Sequence, residues 1–309
     1  IAIFISHHEK NSSVLQDLAL NAMYLFDQHE PATLSKSELE FFDNIIDEVI
    51  QASLPIATSS IKETRSEILR HEDAKENQER DYENLYQSID ENDEEEEASY
   101  LMLELRRSVR TVEVIGQIIK NRAGSLKSSE IEELFEEGLK VHLRIISSYF
   151  ALIKDEKAQE GIVEMLAHRI ADTIQEESED KQERLLDNKE AYEKLAKKMF
   201  WNMNFGMVYG MMTKIISSLG SSLLITSIDK VCNEMNTPSS FIIKQGINLW
   251  HNKKLNIDSI SEKYAEDGFS KTATQILNHK IVNHCRTHHL ERQTYTKLEN
   301  KLGIRRNYI

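Results

Sequence analysis

Residues 199–219 read MFWNMNFGMVYGMMTKIISSL, the most apolar helix-compatible run in the chain. Phe200, Met203, Met207, Met211 and Ile215 recur at threes and fours, the spacing of one helix face. Trp201, Phe205, Val208, Met212, Ile216 and Leu219 widen that stripe until the helix is apolar nearly all round. A helix of that kind is buried on several sides, so the rest of the chain is expected to pack around it. Gly206 and Gly210 fall one turn apart on one face, and their spacing predicts a second backbone crossing close to them. Each glycine costs a helix about 1 kcal/mol, which a close crossing offsets. The methionines also fit a plastic groove for a partner helix, but core packing is the simpler reading of the same pattern. A membrane span is not expected. Lys198 and Lys214 bound only fifteen residues, with Asn202 and Asn204 among them, whereas a span needs roughly 20 apolar residues.

Composition agrees with helices throughout. Ten glycines and three prolines in 309 residues are too few for the turns of a sheet protein. The predicted fold is all-α: a multi-helix array of packed α-hairpins, solenoid-like or an irregular bundle, with an acidic insertion. The length allows one large domain or two smaller ones. Two cysteines, Cys232 and Cys285, are too few for a disulfide framework and fit a reduced, cytoplasmic protein. The sequence opens on Ile1 in a core-like IAIFIS, which reads as a piece of a longer chain.

The net charge of −14 is unevenly spread. Residues 72–97 hold thirteen acids against Lys75 and Arg80, a net of −11. Residues 271–309 hold eight Lys and Arg against Glu291 and Glu299, a net of +6. Three segments follow: helical hairpins over 1–59, an acidic linker or solvated helix over 60–98, and a helical domain over 99–309. The acidic tract reads as a solvated spacer, with masking of the basic end as its sharper alternative. Local signals place the helix starts. Ser35 with Glu38, and Ser129 with Glu132, fit capping boxes. Thr237 followed by Pro238 fits an N-cap with proline at the first helical position. Gly116 predicts a close helix crossing, Trp250 continues the helix after Pro238, and 176–189 reads as a charged connector.

Four patterns bear on chemistry. His284 and His288 at i, i+4, with Cys285 between them and His289 a turn beyond that cysteine, have the spacing of metal ligands on a helix. A complete site needs partners the sequence does not direct there, so packing histidines are the plainer reading. His7 and His8 form a second, poorer pair. Arg65 and His71, with five residues between, match the R-x4-6-H pattern of helical HEPN ribonucleases, a spacing that chance also produces. Lys280, Arg286, Arg292, Lys297, Lys301, Arg305 and Arg306, with Tyr295 and Tyr308, are candidates for contacts to a partner or to nucleic acid. No P-loop, GxGxxG, GxSxG or HExxH occurs. No catalytic residue and no cofactor are therefore expected in this chain.

Three segments taken together carry a family resemblance. They are IFISHHEKNSSVLQDLALNAMYLF (3–26), RTVEVIGQIIKNRAGSL (110–126), and VCNEMNTPSSFIIKQGI (231–247) with VNHCRTH (282–288). They resemble the helical C-terminal regions of large bacterial STAND-type NTPases, which join an effector, a nucleotide switch and a sensor. The resemblance implies a non-catalytic sensor or autoinhibitory region, as found in antiviral defence proteins. It implies upstream NTPase and effector domains of the same chain as partners, a protein or nucleic-acid trigger, oligomerisation through the parent protein, and no membrane. It maps no catalytic residue onto this sequence. A HEPN-like ribonuclease and a plain helical scaffold are the rival readings.

Overall fold

With so few chain breakers, most of the backbone satisfies its own hydrogen bonds in helices. The computed structural model describes residues 13–50, 93–176, 183–288 and 290–305. Among them are eleven α-helices: α1 (Ser13–Met23), α2 (Glu40–Ile50), α3 (Asp93–Asn121), α4 (Ser128–Lys154), α5 (Glu156–Glu176), α6 (Glu183–Leu219), α7 (Ile225–Met235), α8 (Pro238–Ile247), α9 (Ile257–Tyr264), α10 (Lys271–Thr287) and α11 (Arg292–Leu302). A 3-10 turn (Ser222–Leu224) leads into α7, and a π turn (Asn248–Asn252) prolongs α8. No strand occurs among the described residues; one antiparallel bridge pairs Ser35 with Phe269. The protein is all-α, an irregular bundle. Residues 7, 8, 65, 71 and 306, and the acidic tract up to residue 92, lie outside the described residues.

The central helix is α6, which packs against α2, α3, α4, α5 and α8. It is 37 residues long and starts at Glu183, so the connector expected over 176–189 is helical from there on. The sequence ERLLDNKEAYEKLAKK holds no glycine, proline or β-branched residue, and nothing local stops the helix. Its inner face is Phe200, Phe205, Val208, Met212, Ile215, Ile216 and Leu219, all buried. Met203 and Met207, expected inside, point outward at 62% and 52% exposure. Periodicity could not phase this helix, because nearly every side of it is apolar.

The expected close approach occurs elsewhere than at Gly206 and Gly210. A Cβ at either of those would meet nothing within 4 Å. The crossing forms at Gly116 of α3, where a Cβ would fall 2.1 Å from the Ser218 carbonyl oxygen of α6. Gly246 of α8 does the same for the other flank, its Cβ position lying 2.2 Å from Ile216 Cδ1. At the middle of α6, Trp201 sits edge-on to Phe42 of α2 at 5.2 Å and to Phe200 at 5.1 Å.

The chain before α2 is bound into the body by local and long-range bonds together. The Glu38 carboxylate accepts the N–H groups of Thr33 (2.8 Å) and Leu34 (2.7 Å). The expected Ser35–Glu38 box is thus replaced by an acid reaching further back. Leu34 is fully buried with φ of 55°, a left-handed conformation that the Glu38 bonds help to hold. Ser239 donates its N–H to Thr33 O, and the Ser270 hydroxyl donates to Leu34 O, both at 2.8 Å. Helix α4 has its N-cap at Lys127, two residues before the expected Ser129, with Glu130 accepting the Lys127 N–H at 2.9 Å. At α8 the local signal holds: Thr237 caps Ser240 N and Pro238 opens the helix.

No single helix among the described residues is long and apolar enough to cross a membrane. One pair, Lys189–Leu219 with Ser222–Met235, passes on length and composition but is bent by 76°; the apolar inner face of its first member is the bundle core.

Candidate interaction surfaces

Leu195, Met199, Met203 and Met207 recur every fourth residue along α6, and all four are exposed. Four-residue spacing stacks them one above another on one side. Gly206 and Gly210 lie on the same side with open space above their backbone. The result is an apolar stripe about 18 Å long, from twelve residues at 1.5 Å each, floored by glycine where another backbone can approach. Beside it, α5 and α6 enclose an open groove with Glu156, Glu160 and Glu164 on α5 and, on α6, lysines (Lys189, Lys194, Lys197) mixed with Glu190 and Glu193.

The seam between α6 and α10 holds two strongly perturbed groups, Lys280 and His279. Lys280 is buried, not a surface cation as expected from its place in the basic region. Its Nζ donates to Thr213 Oγ1 at 2.7 Å and lies 4.5 Å from the centre of the Tyr209 ring. Burial brings its pKa down to about 7. A buried amine without a carboxylate is held by a hydroxyl and a ring face. Neighbouring His279 packs against Phe205 and Tyr209. Burial, with Arg286 and Lys280 adding to it, lowers His279 to about 4.

The histidine pair at the end of α10 is used for packing. His284 and His288 stack with ring centres 4.4 Å apart. The Nδ1 of His288 meets the His284 carbonyl oxygen at 3.2 Å. Cys285 is fully buried and its thiol is pushed up to about 12 by desolvation. Among the described residues no group of three His, Cys, Asp or Glu side chains is placed to hold a metal ion. Among the described residues, the fold brings no third ligand to this pair.

Arg292, Lys297, Lys301 and Arg305 are exposed. Lys301 and Lys297 converge on Asp258 of α9, an ion pair that anchors α11. Arg286 is half-buried. Trp250, expected to continue α8, lies in the π turn that follows it. The π turn adds a residue to the helical turn there, and Trp250 is 51% exposed.

No protein-family model, no curated protein and no solved structure matches the chain.

Proposed function

We propose that this chain is a non-catalytic sensor or protein-interaction region of a larger STAND-type NTPase in bacterial antiviral defence, and that α6 receives an amphipathic partner helix. The observation that carries the interaction reading is the Leu195–Met199–Met203–Met207 stripe, exposed on the longest helix of the bundle. Its width is that of one helix, and its length matches about three helical turns. Methionine side chains adapt to partners of varied shape, and the two open glycines let a backbone approach. Covering each methionine is worth about 1.5–3 kcal/mol before the costs of association. The family part of the reading rests on the resemblance over 3–26, 110–126, 231–247 and 282–288.

Two experiments test it. Sequencing the gene upstream of Ile1 is expected to reveal a P-loop in the same reading frame; a gene without one removes the STAND reading. Co-expression with that upstream region is expected to yield a complex that Met203→Glu with Met207→Glu disrupts. A complex indifferent to both substitutions would move the interface off α6.

A further inference from the structure

The C-terminal ends of α3, α6, α8 and α10 meet at one end of the bundle. Gly116 touches the Ser218 carbonyl, and Lys120 Nζ donates to Ser217 O at 2.8 Å, joining α3 to α6. A Cβ on Gly220 would fall 2.7 Å from His251 Nε2, so the turn after α6 is pressed onto the π turn after α8. The 3-10 turn and the π turn pack on each other, and the π turn packs on α10.

The segments that meet here fall within 114–127, 214–224, 247–254 and 284–288. None contains an aspartate or a glutamate, in a chain that has 52 of them. The same stretches bring Lys120, Arg122, Lys127, Lys253, Lys254 and Arg286. Lys127, Lys253 and Lys254 are exposed. Of the nearest carboxylates, Glu113 pairs with Lys214, Glu130 accepts the Lys127 N–H, Asp229 pairs with Lys244 and Asp258 with Lys301, while Glu291 is exposed at the start of α11. Converging helix C-termini favour cations here, but that requires only the residues beside the carbonyls. It leaves unexplained two large apolar side chains in the same place, Trp250 at 51% exposure and Leu223 at 74%, on the two turns that pack together.

We infer that this end of the bundle is a docking surface for an acidic peptide segment carrying an apolar anchor residue. The exposed lysines supply charge complementarity to a glutamate- or aspartate-rich segment. Trp250 and Leu223 supply the apolar centre, the arrangement in which tryptophan dominates protein interfaces. A nucleic acid would use the cations and the indole but has no use for an exposed leucine. A bilayer is held by a broad apolar helix face rather than by two side chains. This surface lies apart from the methionine stripe, so it stands or falls independently of the proposed function.

Tryptophan fluorescence of the whole chain tests it directly. The chain has two tryptophans, and Trp201 is only 2% exposed, so quenching by acrylamide reports Trp250. The probe is a short glutamate-rich peptide with spaced leucines. It is expected to shield Trp250, and raised salt is expected to weaken the effect. Lys253→Glu with Lys254→Glu, and separately Leu223→Ser, are each expected to weaken binding by about tenfold. All three positions are exposed, and circular dichroism verifies that the variants fold. The inference is overturned by any of four results: no shielding, equal shielding by a glutamine-for-glutamate peptide, equal shielding by a leucine-free peptide, or tighter binding to oligothymidylate or phosphatidylserine vesicles.

Discussion

The Asp43 carboxylate of α2 receives the first turn of α10: the Thr272 N–H at 2.8 Å, the Thr272 hydroxyl at 2.7 Å and the Lys271 N–H at 2.9 Å. These are orphan donors at a helix N-terminus, where the macrodipole also favours a negative charge. Ser270 caps the same helix locally, accepting from Ala273 N at 2.9 Å. One helix start is therefore capped twice, once from its own sequence and once from a residue more than two hundred positions earlier. Asp43→Ala is expected to cost about 3 kcal/mol by urea unfolding, since it strands buried donors. Asp43→Asn should recover part of that loss. An alanine variant as stable as the parent would mean that Ser270 alone suffices.

Glycines on the two sides of α6 should respond to alanine with opposite signs. Gly116→Ala places a methyl against the Ser218 backbone, which has to shift as a unit. A loss of about 2 kcal/mol or more is expected. Gly206→Ala meets no atom within 4 Å and should stabilise the isolated chain by up to about 1 kcal/mol through helix propensity. Thermal melts of the two variants side by side check the pair. The substitution at Gly206 should also hinder a partner backbone on α6, if that is where the partner sits.

Acid should weaken the fold before most carboxylates titrate. Burial lowers His142, His279 and His284 to about 4, from an ordinary value near 6.5. Between those values the unfolded chain binds protons at these sites and the folded chain does not. Their stabilising contribution is complete above about pH 6.5 and is lost as the pH falls toward 4. Urea midpoints measured from pH 7.5 to 4.5 should therefore fall steadily. His142 sits among core residues, with Nε2 lacking a partner and Nδ1 near the Gly138 carbonyl oxygen at 3.3 Å. His142→Leu should flatten the slope; an unchanged slope would assign the acid sensitivity to other groups.

The methionines of α6 should divide by face. Met203→Glu and Met207→Glu are expected to leave stability within about 0.5 kcal/mol, as substitutions at exposed positions do. Met212 is fully buried, and Met212→Ala should cost about 2–5 kcal/mol. Chemical denaturation of the three variants measures both. A large loss at Met203 or Met207 would place them inside the bundle after all.

What could be read from the sequence was local. Scarcity of glycine and proline set the helical class, and Thr237–Pro238 marked a helix start, because a cap is decided by a few neighbouring residues. Caps slipped where a longer reach was available: Glu38 bonds to Thr33 and Leu34 rather than boxing with Ser35, and Glu130 serves Lys127 while Ser129 lies inside α4. The methionine helix was recognised, but not which way it faces, since an all-round apolar helix has no preferred phase until its neighbours arrive. Tertiary structure decided that Lys280 is buried on Thr213 and Tyr209 and that His284 and His288 stack on each other. It also gathered acid-free segments, far apart along the chain, at the end of the bundle that carries Trp250 and Leu223. Composition and capping act over a turn or two of backbone; burial, charge surroundings and shared surfaces depend on which helices meet, and distant residues such as Gly116, Gly246 and Asp43 determine that.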